Sequence, residues 1–346
     1  MSYTLSEIRR DNPRECSQLH DLLHSQGIAL DSNLDYTCGL FDEDWNLVAT
    51  GSTFGATLRC FAVSKDHQGE GLLNEIVSHL MEYEMNQGRV HLFVYTKTSS
   101  AKFFGDLGFF PIAQVDGTLS FLENRPRGFA QFCQQLAQYR RPGTAAAVVM
   151  NANPFTLGHQ FLVEQASSQF DTVHLFVLEE DASLVPFAVR WLLVQEGVAH
   201  LPNVICHKSG PYLISSATFP SYFLKDETTV IETHAKLDLA LFGTIAQTLG
   251  ISARVVGEEP SSVVTGLYNQ MMTQKLPELG IQCLVLPRCT QNGQVVSAST
   301  VRSLIHQGCL EEIRPLVPQS TYAYFTSPDA APVIAAIQNS SQVVHY

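Results

Sequence analysis

The hydrophobic positions of the chain change rhythm near residue 143. Before that point the pattern is mixed. Cys38–Leu40, Leu47–Phe54, Leu58–Val63 and Val90–Tyr95 read as extended, while Glu70–Met85 and Ser100–Leu107 carry helical spacing. Pro111–Val115 and Thr118–Leu122 read as a hairpin around Asp116-Gly117, a dipeptide suited to a tight turn. Residues 1–123 are therefore expected to form a mixed α/β domain. A helix over Phe129–Tyr139 within a connector at 124–142 leads to Arg141-Pro142-Gly143, a breaker cluster that marks a domain boundary.

From residue 143 to residue 346 strands and helices alternate. Strands are expected at Ala145–Met150, Thr172–Leu178, Asn203–His207, Arg254–Val256 and Ile281–Leu286. Helices are expected at His159–Ser168, Phe187–His200, Lys236–Leu249 and Thr265–Lys275, with another after Ser299. Near-continuous apolar strands separated by helices predict a parallel sheet covered on both faces, with right-handed crossovers. Such a doubly wound α/β fold holds its ligand beyond the carboxyl ends of the strands.

A length of 346 residues suits two domains. The formal net charge of −12 opposes a general nucleic-acid surface, since affinity for a phosphate backbone comes from clustered Lys and Arg. The segment from Asn124 to Arg141 runs against that average, with Arg125, Arg127, Arg140 and Arg141 and no acidic residue; it reads either as a solvated linker or as a local basic patch. Eight cysteines without a CxxC pair fit a reduced, cytoplasmic chain and give no metal site. No run of 18 apolar residues predicts a membrane span.

Chemistry concentrates at two strand ends of the second half. Asn153-Pro-Phe-Thr-Leu-Gly-His159 follows the first strand and opens a helix, where free backbone N–H groups and the helix dipole favour a phosphate. Gly158 allows close approach, His159 can donate to phosphoryl oxygens as pyrophosphate leaves, and Thr156 adds a hydroxyl. Val296-Ser-Ala-Ser-Thr-Val-Arg302 follows the fifth strand. Ser299 and Thr300 offer a second cradle there, and Arg302 a bidentate fork. Each segment alone is also an ordinary helix start; the pairing of the two across one crevice carries the functional reading.

These blocks resemble the adenylyltransferase superfamily, with its T/HxGH motif (here Thr156-Leu-Gly-His159) and its ISSTxxR motif (here Val296-Ser-Ala-Ser-Thr-Val-Arg302). The resemblance extends over nearly the whole chain to the citrate lyase ligase family, through Gly210-Pro-Tyr-Leu-Ile-Ser-Ser-Ala-Thr-Phe-Pro-Ser-Tyr-Phe-Leu-Lys225, Val256-Gly-Glu-Glu-Pro260 and Tyr268-Asn269. It implies ATP as substrate, Mg²⁺ carried mainly on phosphates, and acetate activated as acetyl-adenylate. The acetyl group would then pass to the CoA-derived thiol arm of the citrate lyase acyl carrier subunit. His159, Thr156, Lys225 and Arg302 are the expected catalytic groups; Asn153, Phe155, Gly158, Gly257, Glu258, Ser299 and Thr300 complete the nucleotide site, with Ser215, Ser216 and Thr218 near Lys225.

The first domain resembles the N-acetyltransferases, on Phe61-Ala-Val-Ser-Lys-Asp-His-Gln-Gly-Glu-Gly71 and Ala101-Lys-Phe-Phe-Gly-Asp-Leu-Gly-Phe109. It departs from that family at Leu73, where a small residue is usual, and at Phe104, where a proton-donating Tyr is common. Gln68, Gly69, Gly71 and Leu72 are therefore read as receiving the prosthetic arm, with a purely structural role as the other reading. A cofactor adenylyltransferase joining AMP to a phosphorylated coenzyme precursor is the main alternative function.

Overall fold

The computed structural model of the chain describes residues 2–115, 117–179, 182–213, 219, 222, 224, 227–258, 263–291 and 293–340. Two compact units emerge: Met1–Gln131 with Phe219–Leu237, and Phe132–Thr218 with Asp238–Tyr346.

The first unit is built on a seven-stranded sheet: β1 (Thr4–Glu7), β2 (Tyr36–Phe41), β3 (Leu47–Phe54), β4 (Thr57–Val63), β5 (Phe93–Lys97), β6 (Phe110–Val115) and β7 (Leu119–Glu123), in the order β1-β2-β3-β4-β5-β7-β6. The hairpin expected at 111–122 is present as the antiparallel β6–β7 pair; Asp116 itself lies outside the described residues. Helices α1 (Pro13–Ser25), α2 (Leu72–Asn86) and α3 (Ala101–Asp106) complete it, and α4 (Gly128–Ala137) starts in this unit and ends in the second. The apolar rhythm does not predict β1 or α1, whose mean character is polar. Local chemistry starts α1 instead, with Asn12 accepting the Glu15 N–H at 3.4 Å and Pro13 in the first turn.

β4 runs parallel to β5, paired at Thr57–Phe93 and Leu58–Val94. Against β3 it bulges: Cys60 and Phe61 oppose the single residue Gly51, and Cys60 takes φ +53°. Tyr222, from the late segment of this unit, reaches the Tyr95 carbonyl of β5 with its hydroxyl at 3.4 Å. Its own carbonyl accepts the Ala29 N–H at 2.7 Å, and its ring packs with Leu19, Leu22, Leu23, Phe41 and Cys60. A hydrophobic cluster begun by α1 is thus completed by a residue some two hundred positions later.

The second unit holds five parallel strands: β8 (Ala145–Met150), β9 (Thr172–Val177), β10 (Val204–Lys208), β11 (Ala253–Gly257) and β12 (Gln282–Leu286), in the order β10-β9-β8-β11-β12. The order reverses beside β8, which makes its carboxyl end the topological switch point. The doubly wound architecture expected from the apolar strands is therefore present. Helices α5 (Leu157–Gln169), α6 (Phe187–Val198), α7 (Glu227–Leu249, whose residues to Leu237 belong to the first unit), α8 (Val263–Lys275) and α9 (Ala298–His306) follow strands, and α10 (Gln319–Phe325) and α11 (Ala331–Asn339) are the last helices described. A two-residue hairpin, β13 (Thr290–Gln291) with β14 (Gln294–Val295), precedes α9.

Two buried polar groupings brace this sheet. Arg254 on β11 bonds Asp238 of α7 at 3.0 Å, Tyr268 of α8 donates to the same carboxylate, and the guanidinium lies 4.5 Å from the Phe242 ring centre. Asp238→Ala would leave that guanidinium buried without its counter-charge. It should lower stability by about 3–5 kcal/mol in a cooperative thermal or urea melt, whereas an unchanged melt would mean water reaches Arg254.

His174 Nδ1 and His207 Nε2 lie 2.9 Å apart on β9 and β10. Burial pushes His174 down to about 4 and His207 down to about 3. Both rings are therefore neutral in the fold, while the unfolded chain takes up protons as the pH drops below the ordinary histidine value of 6.5. The unfolded state then binds more protons, so stability should fall as the pH is lowered from about 6.5 towards 4. The urea midpoint measured against pH should show this slope, and it should be shallower in His207→Phe.

Candidate active site

The Thr156-Leu-Gly-His159 segment opens α5 at the switch point. Thr156 is the N-cap: its hydroxyl accepts the His159 N–H at 3.4 Å, and its own N–H donates to His159 Nδ1 at 3.1 Å. A main-chain N–H can only donate, so Nδ1 is the acceptor and the ring proton sits on Nε2. Burial, reinforced by the charges of Arg288 and Arg302, pushes this imidazole down to about 4. The result is a neutral, oriented Nε2–H donor. Phe155, fully buried, stacks behind the ring with centroids 5.8 Å apart, and a Cβ on Gly197 of α6 would lie 2.3 Å from the Phe155 ring. Phe155 thus supports His159 from within the core.

The second motif opens α9 through Ser297. Its hydroxyl accepts the Thr300 N–H at 3.1 Å and bonds the Ser299 and Thr300 hydroxyls at 2.9 and 2.8 Å. The two motifs meet directly. A Cβ placed on Gly158 would stand 3.0 Å from the Val296 carbonyl oxygen, and Arg302 Nη1 donates to the Asn153 carbonyl at 2.5 Å. Burial lowers the Arg302 guanidinium to about 10, still charged at neutral pH. Glycine at 158 therefore suits the close backbone approach, since a side chain there would press on the Val296 carbonyl.

The segment that leads into the first motif rests on a buried arginine that the apolar rhythm does not mark. Arg190 in α6, completely buried, donates from Nε to the Val185 carbonyl at 2.9 Å and from Nη1 to the Asn151 and Leu178 carbonyls at 2.7 Å each. It thereby joins the residues that follow β8 and β9. The one sign of it in the sequence is an Arg inside the apolar run Phe187-Ala-Val-Arg-Trp-Leu-Leu-Val194. Asn153, 3% exposed, accepts the Val185 N–H on Oδ1 at 3.0 Å.

At the end of β11 the Gly257 carbonyl accepts from Asn269 Nδ2 at 3.0 Å, and the Glu258 carbonyl from Arg288 Nε at 2.9 Å. The Glu258 N–H donates to the Leu286 carbonyl at 2.9 Å, and the residue is exposed. Ser215, Ser216, Thr218, Lys225, Glu259 and Pro260 lie outside the described residues. In the first unit Gly69 and Gly71 take φ +89° and +79° before α2 and Gln68 is exposed, whereas Leu72 is buried and offers only its main chain. Phe104 is a core residue against Phe61 and Phe109.

Two capped helix starts thus meet at the switch point of a doubly wound α/β sheet. A family model described as the citrate lyase ligase C-terminal domain matches residues 145–325. Among curated proteins, the [Citrate [pro-3S]-lyase] ligase of Klebsiella pneumoniae is 39% identical over 92% of this chain and 94% of its own length. The protein of the same name from Escherichia coli (strain K12) is 33% identical over 92% of each, and that of Haemophilus influenzae 34% identical over 90% of this chain and 95% of its own. The chain belongs to the citrate lyase ligase family.

Solved structures similar to part of the chain include a GNAT-family acetyltransferase from Staphylococcus aureus Mu50 (14% identity, 35% of this chain, 98% of that one, TM-score 0.31). An aminoglycoside 6'-N-acetyltransferase complexed with coenzyme A is similar at 15% identity, over 36% and 98% of the two chains, with a TM-score of 0.31.

Because the added methyl would push against the Val296 carbonyl, Gly158→Ala should separate the two motifs by a few tenths of an ångström. It should lower turnover by about tenfold or more with a nearly unchanged melting temperature. Full activity in the variant would show that the motifs need not touch.

Proposed function

We propose that the chain is the ligase that activates citrate lyase, acetylating the thiol arm of its acyl carrier subunit in two steps. In the first, an acetate oxygen bonds to the α-phosphorus of ATP and the bond to the bridging oxygen breaks, giving acetyl-adenylate and pyrophosphate. In the second, the arm's thiol sulfur bonds to the acetyl carbon, the mixed-anhydride C–O bond breaks, AMP departs and the thiol proton is released. The observation that carries this reading is the junction of Gly158 with the Val296 carbonyl, which sets two helix N-termini around one point suited to a triphosphate.

In this reading His159 Nε2–H donates to a phosphoryl oxygen as charge builds, and being neutral it loses no proton of its own in the step. Thr156 holds the imidazole in that tautomer. Arg302 would leave the Asn153 carbonyl to grip phosphate, Ser299 and Thr300 would line its cradle, and Lys225 would draw acetate towards the nucleotide. Asn153 and Gly158 would face the phosphates, with Phe155 as backing, and Gly257 and Glu258 would border the nucleoside. The side chains around the junction supply O–H, imidazole and guanidinium groups and no carboxylate, a set that fits phosphate oxygens better than a cation. Mg²⁺ is therefore assigned to the triphosphate itself. The arm would dock at Gln68, Gly69, Gly71 and Leu72 of the first unit, leaving adenylation to the half beginning near Gly143. No helix among the described residues is long and apolar enough to cross a membrane.

Pyrophosphate exchange into ATP should require acetate; exchange supported by a phosphorylated coenzyme precursor and not by acetate would favour a cofactor adenylyltransferase. His159→Ala should reduce acetate-dependent exchange by about a hundredfold or more, the size of losing one preorganised donor. A folded variant with near-normal exchange would remove His159 from the mechanism.

A further inference from the structure

Asn153 carries a side-chain amide whose two ends have different fates. Oδ1 accepts the Val185 N–H at 3.0 Å, and because that partner can only donate, the orientation of the amide is settled: oxygen towards Val185, Nδ2 away from it. Nδ2 is sealed from water and has no hydrogen-bond partner among the described residues. A buried polar group left unpaired is unfavourable and unusual in a folded protein. Here it lies at the switch point of the parallel sheet, on the residue whose carbonyl receives Arg302 Nη1.

The Val185 peptide is held from its other side as well. Its N–H faces Asn153, and its carbonyl accepts Arg190 Nε at 2.9 Å. Arg190 also binds the Asn151 and Leu178 carbonyls at 2.7 Å, so its guanidinium spaces the segments leaving β8 and β9. The chain of contacts is Arg190 to Val185 to Asn153. Each link is a hydrogen bond between buried groups, and the chain ends on one free donor. No other described residue uses that donor.

We propose that Asn153 Nδ2 is a catalytic hydrogen-bond donor to the α-phosphoryl oxygen that gains charge during adenylation, and that Arg190 is a positioning residue acting on it through the Val185 peptide. This rests on the adenylation reading above. A phosphoryl group that draws Arg302 off the Asn153 carbonyl arrives beside the same amide, and a donor already stripped of water needs no reorganisation to meet it. Because the bond strengthens as charge develops, its loss acts on kcat more than on KM.

The test uses the full-length chain and acetate-dependent pyrophosphate exchange. Asn153→Asp keeps an oxygen for the Val185 N–H and replaces the amide donor with a second carboxyl oxygen, which can only accept when ionised; Arg190→Lys keeps the charge but cannot span three carbonyls. Asn153→Asp should lower kcat by about a hundredfold, with KM for ATP and for acetate close to those of the unaltered chain. Arg190→Lys should lower kcat by about tenfold in the natural background and by less than about twofold when Asp already stands at 153, since the brace then has nothing left to position.

Multiplying effects would make Arg190 an independent structural residue and overturn the brace. A loss confined to KM for acetate would assign the amide to the carboxylate and overturn the phosphoryl role. Should Arg190→Lys fail to melt cooperatively, Asn153→Asp alone decides: a natural exchange rate overturns the proposal and a hundredfold loss supports it. Absence of acetate-dependent exchange in the unaltered chain would instead sink the adenylation reading on which the proposal stands.

Discussion

The second unit depends on arginines that bond to main-chain carbonyls inside the protein. A parallel sheet whose strand order reverses leaves, at the switch point, carbonyl groups that no neighbouring strand can take. Here the Asn151 and Leu178 carbonyls go to Arg190 and the Asn153 carbonyl to Arg302. A guanidinium suits this task because its five N–H groups form a rigid fork and its charge is diffuse enough to be desolvated at lower cost than an ammonium. Without these ties the loop between β8 and α5 would lack partners for its polar backbone, and the site it carries would have no defined geometry.

A common device sets both donors at the site. His159 and Asn153 are groups whose proton placement is ambiguous in isolation, and in each case a main-chain N–H removes the ambiguity. The Thr156 N–H fills His159 Nδ1 and so puts the proton on Nε2; the Val185 N–H fills Asn153 Oδ1 and so turns Nδ2 away. Both groups are uncharged, which limits the cost of burying them. Charge at the site comes from arginines instead, and those charges in turn help keep His159 neutral.

The sheet of the second unit was legible in the sequence because strands buried on both faces read as apolar runs, and Ala145–Met150 was read with the bounds the fold gives it. Helix α7 shows where that signal ends. It was expected from Lys236, yet it begins at Glu227, and its first residues, Glu-Thr-Thr-Val-Ile-Glu-Thr, carry too little apolar rhythm to announce a turn of helix. The two motifs were legible as a pair: each is an ordinary capped helix start by itself, and it is their placement after two strands of one sheet that sets them apart. The brace beneath them was not: Arg190 acts on carbonyls, and every residue has a carbonyl, so nothing in the partner residues marks the interaction. For the same reason the direct contact of Gly158 with Val296 could be seen only once the two segments were folded together.

The completion of the first unit by Tyr222 bears on how the chain is made. Growing from its N-terminus on the ribosome, the polypeptide produces α1, β2 and β4 early, but the aromatic ring that joins Leu19, Leu22, Leu23, Phe41 and Cys60 arrives only after β8, β9 and β10 have been synthesised. The nascent first unit must therefore wait with an apolar face uncovered while the next sheet emerges, a folding order dictated by long-range contacts instead of by position in the message. A prematurely terminated chain that stops near Gln131 would keep that face open, and this makes such fragments natural clients for chaperones and proteases.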